Sequence, residues 1–269
     1  MLKISNNLKT AIEASLKAGV AIMDVYNSSE INLEIKDDKS PLTRADKESN
    51  EIINGFLKPT DIPIISEENR EIAFETRSTW NTCWIVDPVD GTKEFIKRNG
   101  EFTVNIALVT DGEPTLGVIY VPATKTLYFA DVKEAQGYKA VLKDHVTPIE
   151  QILNDADPLQ PRGIDSGALR VVGSRSHMND ETKDYISSLQ QKGHDVEIVS
   201  KGSSLKFCLV AEGLADVYPR YAPTMEWDTA AGQAICQAVG IQVISQETNK
   251  PLLYNKENLL NPWFLVSKA

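Results

Sequence analysis

The chain is poor in cysteine and contains no long hydrophobic segment. Its three cysteines, Cys83, Cys208 and Cys236, are odd in number, far apart and set among apolar neighbours. This spacing fits reduced core thiols better than a disulfide framework or a zinc site. No stretch approaches the roughly 20 apolar residues of a membrane span, and residues 1–10 lack the basic start and apolar centre of a signal peptide. We therefore expect a cytoplasmic protein and leave peripheral association with the inner face of the cell membrane open.

Basic residues are also scarce relative to acidic ones. The 28 Lys and Arg against 38 Asp and Glu give a formal charge of −10, and the pI is near 4.9. Because binding to a nucleic-acid polymer requires a basic face, this balance argues against DNA or RNA as a partner. A small anionic substrate is still compatible with the charge, since bound metal ions reverse the local field around clustered carboxylates.

The most informative segment runs from Trp84 to Phe95. There an apolar run delivers two carboxylates, Asp87 and Asp90, to a Gly-Thr turn. We expect a buried strand that ends at the proline between Val86 and Val89, with both carboxylates facing solvent at the strand end. The turn glycine allows close approach of a ligand, and the threonine that follows it is expected to cap a helix. Such a site binds Mg²⁺ and phosphate, whereas the alternative is an Asp-Pro turn that only caps a helix.

Two further acidic elements lie far away in the sequence. Ser66-Glu67-Glu68 follows an apolar run, and Glu226-Trp227-Asp228 precedes a small-residue segment, Thr229–Ile235. We expect Asp228 in the first turn of the helix formed by that segment, where negative charge is favoured. The alternative for Asp228 is an ordinary helix cap. The three elements together favour a metal site.

These motifs resemble the signatures of the inositol monophosphatase superfamily. The matching segments are Glu67-Glu68, Asp87–Thr92 and Trp227–Gly232, and their order and spacing fit over essentially the whole chain. The resemblance implies a mixed α+β fold, an αβαβα layered sandwich with its active site between two halves. Within the superfamily the likeness is to the CysQ-type 3'(2'),5'-bisphosphate nucleotidases. Four segments carry that likeness: Lys93–Phe95, Gly173–His177, Gly202–Phe207 and Tyr218–Arg220.

The resemblance also implies a set of metal ligands and catalytic residues. The expected ion is Mg²⁺, with two or three ions per site, and lithium is expected to inhibit. The implied ligands are Glu67, Asp87, the carbonyl oxygen of Val89, Asp90 and Asp228. Thr92 and Asp46 are expected to orient the attacking water, so that the catalytic residues are Asp46, Glu67, Asp90 and Thr92. The alternative for Asp46 is a solvated residue at a helix start.

The implied substrate is a nucleotide bisphosphate, adenosine 3',5'-bisphosphate, which the enzyme converts to AMP and phosphate. This reaction would recycle a by-product of sulfate assimilation. The substrate 3'-phosphoadenylyl sulfate is a second expectation. The implied substrate-binding residues are Glu67, Asp90, Gly91, Thr92, His177, Ser203, Lys206, Arg220 and Asp228. Ser203 and Ser204 are expected to open a helix towards an anion, while Lys206 and Arg220 supply cations. The alternatives are capping serines and solvated cations, an inositol or sugar phosphatase, or a non-catalytic nucleotide-binding or metal-binding protein.

Periodicity gives a coarse map of the chain. Residues 5–26 have helical spacing, 31–35 alternate like a strand, and a second helix begins near Thr43. Three β-rich runs, at residues 104–109, 116–121 and 126–130, predict an antiparallel meander. Beyond about residue 140, strands near Val171, Val196, Asp216, Ile241 and Phe264 alternate with helices. We therefore expect an N-terminal half, residues 1–140, with most metal ligands, and a C-terminal half, residues 141–269, with the nucleotide contacts and the last metal-binding Asp.

Overall fold

The computed structural model describes residues 2–28, 34–35, 41–162, 167–173 and 178–268. The helices are α1 (Asn6–Asn27), α2 (Arg44–Leu57), α3 (Phe74–Arg77), α4 (Thr92–Ile96), α5 (Ile149–Asp155), α6 (Asp180–Gln191), α7 (Leu205–Ala211) and α8 (Ala230–Ala238). The strands are β1 (Glu34–Ile35), β2 (Pro41–Leu42), β3 (Ile64–Ser66), β4 (Thr82–Asp90), β5 (Thr103–Thr110), β6 (Glu113–Val121), β7 (Thr126–Asp131), β8 (Gln136–Val141), β9 (Asp157–Pro158), β10 (Leu169–Gly173), β11 (Val196–Ser200), β12 (Val217–Arg220), β13 (Ile241–Ser245) and β14 (Phe264–Lys268).

The first sheet has seven strands in the order β3-β4-β5-β6-β7-β8-β9. Strand β3 pairs parallel to β4, and every other neighbour in this sheet is antiparallel. The predicted meander is confirmed as β5, β6 and β7. The strand expected at residues 116–121 begins three residues earlier, at Glu113. Its pairing with β5 shifts register between Leu108 and Val109.

The second sheet has five strands in the order β11-β10-β12-β14-β13. Strands β10, β11 and β12 are parallel, and β14 runs antiparallel to both of its neighbours. The predicted alternation of strands and helices in the second half is confirmed as far as β13, whereas β13 and β14 form an antiparallel pair with no helix in the described residues 246–263 between them. Only residues 34–35 of the strand expected at 31–35 are described, and they pair with β2.

Alternating side chains on each sheet define the layers. In β4, Trp84 and Val86 pack with α1 and α2, whereas Cys83 and Ile85 join the core beneath α7 and α8. In the second sheet Val171 joins the core beneath α6, while the next residue faces the α7–α8 layer. Since successive side chains of a strand point to opposite faces, each sheet is buried on both sides. The result is the expected αβαβα sandwich.

Helix α1 begins where the sequence predicts it. The hydroxyl oxygen of Ser5 accepts a hydrogen bond from the backbone N–H of Leu8 at 3.3 Å, which caps the first turn. The helix packs on α2 and on the first sheet through its apolar face. Within the described ranges, no helix combines the length and apolar character needed to cross a membrane.

The contact of α8 with the first sheet depends on a glycine of β6. A Cβ atom at Gly117 would lie 2.4 Å from the carbonyl oxygen of Ala231 and 2.9 Å from the Cβ of Ala234. The helix backbone therefore lies directly on the strand. Because α8 follows Asp228 in the chain, this contact also sets the position of that carboxylate relative to β4.

The same substitution at two glycines should have opposite effects on stability. Gly117→Ala inserts a methyl group against backbone, and we expect the free energy of unfolding to fall by about 1–3 kcal/mol. Gly55→Ala, in α2, places a methyl group where no atom lies within 4 Å, and the helix should gain roughly 0.5–1 kcal/mol. Urea denaturation of both variants measures the difference. Equal effects of the two substitutions would contradict the close contact.

Candidate active site

The strand carrying the first two carboxylates is longer than predicted. We expected Pro88 to stop it, but β4 continues to Asp90, and its pairing with β5 shifts register between Asp87 and Asp90. A bulge leaves backbone groups outside the ladder, so a proline is tolerated there. The hydroxyl of Ser49, in α2, donates to the Pro88 carbonyl oxygen at 2.8 Å and holds the bulge in place.

The prediction that both carboxylates face solvent is also wrong. Asp87 is only 1% exposed, whereas Asp90 is half-buried. One oxygen of Asp87 accepts a hydrogen bond from the backbone N–H of Val89 at 3.0 Å. Asp87 is buried, and the 3-10 turn Glu226–Asp228 packs against β4.

Asp228 precedes its helix instead of lying in the first turn. It belongs to a 3-10 turn, Glu226–Asp228, and α8 begins at Ala230. Its carboxylate accepts from the backbone N–H of Met225 at 2.8 Å. The turn is anchored by Glu226, which is fully buried and accepts hydrogen bonds from the backbone N–H groups of Asn255 and Lys256. Asp228 therefore does act as a cap, as the alternative predicted, but it caps the 3-10 turn and not α8.

The three aspartates meet in space. Asp87, Asp90 and Asp228 each offer an oxygen, and these oxygens lie within 4.8 Å of one another. Burial raises the pKa of Asp87 well above its usual value, and the nearby charges of Glu67 and the other acids raise it further. Burial, and then the charge of Asp90, raise the pKa of Asp228. Clustered hard oxygen donors that repel one another fit a divalent cation such as Mg²⁺.

Glu67 borders this cluster from the neighbouring strand. It follows β3, and its backbone N–H donates to the Val86 carbonyl oxygen at 3.2 Å, which continues the pairing with β4. Glu67 is not one of the three mutually close acids, although its charge acts on both Asp87 and Asp228.

A group of amides near Glu67 was not predicted. The Nδ2 groups of Asn50 and Asn54 donate to the Oδ1 of Asn69 at 2.9 and 3.0 Å, and the Ser66 hydroxyl donates to the Oδ1 of Asn50 at 2.8 Å. These bonds tie α2 to the turn that carries Glu67. The partners lie 15 to 19 residues apart in sequence, so no local motif marks them.

Thr92 and Asp46 lie together, as the resemblance implied. Thr92 does not cap its helix, because it is the first residue of α4 and Gly91 takes the cap position at φ 93°. The Thr92 hydroxyl lies 3.4 Å from the Oδ1 of Asp46 and 3.4 Å from the Val89 carbonyl oxygen. The other oxygen of Asp46 accepts from the backbone N–H and hydroxyl of Thr43 at 2.8 and 2.6 Å. Asp46 does cap α2, but it is buried, not solvated.

A cavity of about 410 Å³ opens from the carboxylates towards the second sheet. Its walls include Asp90, Asp228, Ser203, Lys206 and Arg220. The cavity therefore brings together six of the nine expected substrate-binding residues: Asp90, Gly91, Ser203, Lys206, Arg220 and Asp228. Glu67 and Thr92 are not part of its lining. His177 lies outside the described residues.

The serines ahead of α7 differ from expectation. The helix begins at Leu205, and the backbone N–H of Ser204 donates to the Oδ2 of Asp90 at 2.6 Å. Ser203 has a positive φ of 54°. The Asp90 carboxylate therefore accepts the backbone N–H that we expected to bind an external anion.

The two cations of the cavity wall are held differently. The Lys206 ammonium donates to the Ser203 carbonyl oxygen at 2.7 Å and lies 5.8 Å from the ring centre of Tyr218. Burial lowers the pKa of Lys206 to about 8. The Nη2 of Arg220 donates to the Pro223 carbonyl oxygen at 3.1 Å, whereas its buried Nε has no hydrogen-bond partner among the described atoms.

The protein is a layered sandwich of helices and two sheets, and it carries at the end of β4 a cluster of acids that could hold a metal ion. The model of the inositol monophosphatase family matches residues 3–263. The chain belongs to this family.

Comparison with individual proteins agrees with this assignment. The chain is 44% identical to the 3'(2'),5'-bisphosphate nucleotidase CysQ of Salmonella typhimurium, over 97% of this chain and 99% of the relative. It is 43% identical to the protein of the same name from Escherichia coli, with the same coverage. The crystal structure of CysQ from Bacteroides thetaiotaomicron superposes with a TM-score of 0.88 at 49% identity, covering 100% of this chain and 99% of that one.

Neutralising Asp87 should stabilise the metal-free protein. Asp87→Asn retains an oxygen for the Val89 N–H and removes a buried negative charge, and we expect a gain of about 1–3 kcal/mol in the free energy of unfolding in EDTA. Because the native pKa of Asp87 is raised, wild-type stability should fall as pH rises above the unfolded value of about 4. The free energy of unfolding should decline less steeply with pH in Asp87→Asn than in the wild type.

Thermal and urea denaturation between pH 5 and pH 8 measure both effects. Asp184→Asn, at an exposed position of α6, is the matched control and should change stability by less than about 0.5 kcal/mol. A destabilised Asp87→Asn protein in EDTA would mean that the carboxylates do not repel one another.

Proposed function

We propose that the chain is a Mg²⁺-dependent 3'(2'),5'-bisphosphate nucleotidase that hydrolyses adenosine 3',5'-bisphosphate to AMP and phosphate. The observation that carries this proposal is that one cavity is lined by both acids and cations. Asp90 and Asp228 would hold one phosphate through metal, and Lys206 and Arg220 would bind a second phosphate. A substrate with two phosphates uses both sets of residues, whereas a monophosphate of inositol needs only the first.

The metal ligands in this proposal are those with the appropriate oxygens around the cluster. They are the side chains of Glu67, Asp87, Asp90 and Asp228 and the carbonyl oxygen of Val89. When bound, two or three Mg²⁺ ions would neutralise the phosphate oxygens and lower the pKa of water. The raised pKa values of Asp87 and Asp228 indicate that these acids favour a cation between them.

The water-orienting pair in this proposal is Thr92 and Asp46. The Thr92 hydroxyl donates towards the Oδ1 of Asp46, so its own oxygen is available to accept a proton from the attacking water. Asp46 is fixed by its two bonds from Thr43. In the reaction a bond forms between the phosphorus and the oxygen of that water as the bond to the 3'-oxygen breaks. The proton of the water passes through Thr92 to Asp46, and the 3'-oxygen takes up a proton from solvent and leaves as the hydroxyl of AMP.

The contacts to the 5'-phosphate of the nucleotide are assigned to Lys206 and Arg220. A 5'-phosphate would give the buried Nε of Arg220 an acceptor, and a guanidinium binds phosphate in a bidentate fashion. Ser203 lies on the same wall. A glycine at position 91 lets the backbone approach the substrate, and His177 remains a proposed contact to the base. The same cavity would accept 3'-phosphoadenylyl sulfate, which carries the same 3'-phosphate.

Phosphate release from two substrates tests the proposal. Adenosine 3',5'-bisphosphate and inositol 1-phosphate are compared side by side, with Mg²⁺ or with EDTA. We expect strong preference for the nucleotide, no release in EDTA, and loss of activity by about 10²-fold or more in Asp90→Asn, since a ligand of the proposed metal is lost. Equal or inverted preference would support an inositol or sugar phosphatase. Absence of metal-dependent release from both would leave a non-catalytic binding protein.

Lys206 should contribute to nucleotide affinity in a pH-dependent way. Its charged form predominates below about pH 8, so kcat/KM for the nucleotide should fall above that pH. Lys206→Arg keeps the charge and should remove this decline. Lys206→Ala loses a charge-assisted contact and should raise KM for the nucleotide about 10- to 100-fold, without a comparable change for inositol 1-phosphate. An unchanged KM in Lys206→Ala would contradict this assignment.

A further inference from the structure

One oxygen of Asp90 receives an unusual number of hydrogen bonds. The Oδ2 atom accepts from the Ser203 hydroxyl at 2.6 Å, the Ser204 backbone N–H at 2.6 Å and the Ser204 hydroxyl at 2.7 Å. The other two acids of the cluster each accept one backbone N–H. In the described part of the chain no donor reaches the Oδ1 atom of Asp90, so this oxygen is available to a cation.

The two serine hydroxyls are themselves held by residues of β5. The Thr103 hydroxyl lies 2.7 Å from the Ser203 hydroxyl, and the Nδ2 of Asn105 donates to the Ser204 hydroxyl at 2.8 Å. An ionised carboxylate only accepts hydrogen bonds, so each serine must donate to Asp90. Asn105 therefore donates to Ser204 and Ser204 donates to Asp90, while the Nδ2 of Asn105 also lies 3.4 Å from the Oδ2 of Asp90 as a direct donor. Ser203 donates to Asp90 and lies against the Thr103 hydroxyl.

Thr103 and Asn105 are placed by strand geometry. They lie two residues apart on β5, on the same face, and they pair with Asp90 and Asp87 of β4. Both side chains are buried, at 0% and 1% exposure. Buried polar groups in a strand are tolerated only when they are hydrogen-bonded, and a satisfied network fixes one geometry. The Thr103 hydroxyl carries one proton, which is shared between the Ser203 hydroxyl at 2.7 Å and the Oδ1 of Asn105 at 2.9 Å, so Thr103 links the two serine contacts.

We propose that Thr103, Asn105, Ser203 and Ser204 are positioning residues for Asp90. They hold its carboxylate in one orientation, so that Oδ2 is committed to the protein and Oδ1 is left for the cation. The inference rests on the metal site of the proposed function. Asp90 needs such support because the bulge before it interrupts the ladder, which resumes only at the pair Asp90–Thr103. The side chains of β5 support Asp90 through Ser203 and Ser204, which precede α7 in the second half of the chain.

The test measures metal affinity without substrate. Titration calorimetry with Mn²⁺ on the metal-free protein compares wild type with Thr103→Val and Ser204→Ala. Outer partners of metal ligands typically contribute about 10- to 100-fold to affinity, and we expect both variants to weaken Mn²⁺ binding by roughly tenfold or more. Thr103→Ser keeps the hydroxyl and should bind Mn²⁺ like the wild type.

The matched control is Thr110→Val, the same change at the opposite end of β5, about 23 Å away at ~3.3 Å per residue. It should leave Mn²⁺ affinity unchanged. In activity assays, Thr103→Val should raise the Mg²⁺ concentration for half-maximal rate, while KM for the nucleotide at saturating Mg²⁺ stays the same. Denaturation midpoints establish that each variant is folded. If Ser204→Ala does not fold, the three threonine variants decide the question.

Two results would overturn the inference. Unchanged Mn²⁺ affinity in folded Thr103→Val is one, and equal weakening in Thr110→Val or in Thr103→Ser is the other. The outcome is separable from the proposed activity, because Mn²⁺ binding is read without any nucleotide. A protein that binds Mn²⁺ as expected but hydrolyses no nucleotide would leave this inference standing and remove the proposed function.

Discussion

The constraint on which the rest of the site depends is repulsion among buried carboxylates. Oxygens of Asp87, Asp90 and Asp228 lie within 4.8 Å of one another at a place partly shielded from water, where like charges repel strongly. The fold must hold these groups together against that repulsion. It does so with hydrogen bonds that fix each acid separately: Val89 for the first, the Ser203–Ser204 loop for the second and Met225 for the third.

The layered architecture supplies the three supports from separate parts of the chain. The bulge of β4 is held by α2 through Ser49, and the turn before α8 is held by the buried Glu226. Helix α8 in turn lies against the backbone of β6 at Gly117. Helix α2 packs in the core that it shares with α1 and the first sheet, and α8 packs in the core between the two sheets. The stability of these two cores offsets the cost of assembling the charges.

Local pattern predicted the parts of the fold whose cause is local. Helix α1, the meander of β5 to β7 and the strands of the second half follow from periodicity and turn residues, and the motif acids were found because their residue types are informative on their own. The errors share one cause. Whether Pro88 ends β4 depends on the pairing with β5, and whether Asp87 is buried depends also on the turn Glu226–Asp228; no local pattern contains either.

The supporting residues were invisible for the same reason. Asn105 lies within a predicted strand, Thr103 lies just before it, and Ser203 and Ser204 were expected to start a helix. Their partner Asp90 lies between 13 and 114 residues away in sequence, so no local pattern links them to it. The Asn50 and Asn69 amides are a second example. The family resemblance identifies the expected metal ligands residue by residue, but it does not show which side chains fix the orientation of those ligands.

The central claim is that the acids at the end of β4 bind the metal and that the nucleotide extends from there to Lys206 and Arg220. A crystal structure of the protein with Mn²⁺, AMP and phosphate tests it directly, since anomalous scattering locates the metal. The account predicts Mn²⁺ bound by Asp87, Asp90 and Asp228, with phosphate on the metal and the 5'-phosphate of AMP against Arg220. Metal bound elsewhere, or AMP in the second cavity of about 290 Å³ beside Trp227, would contradict it.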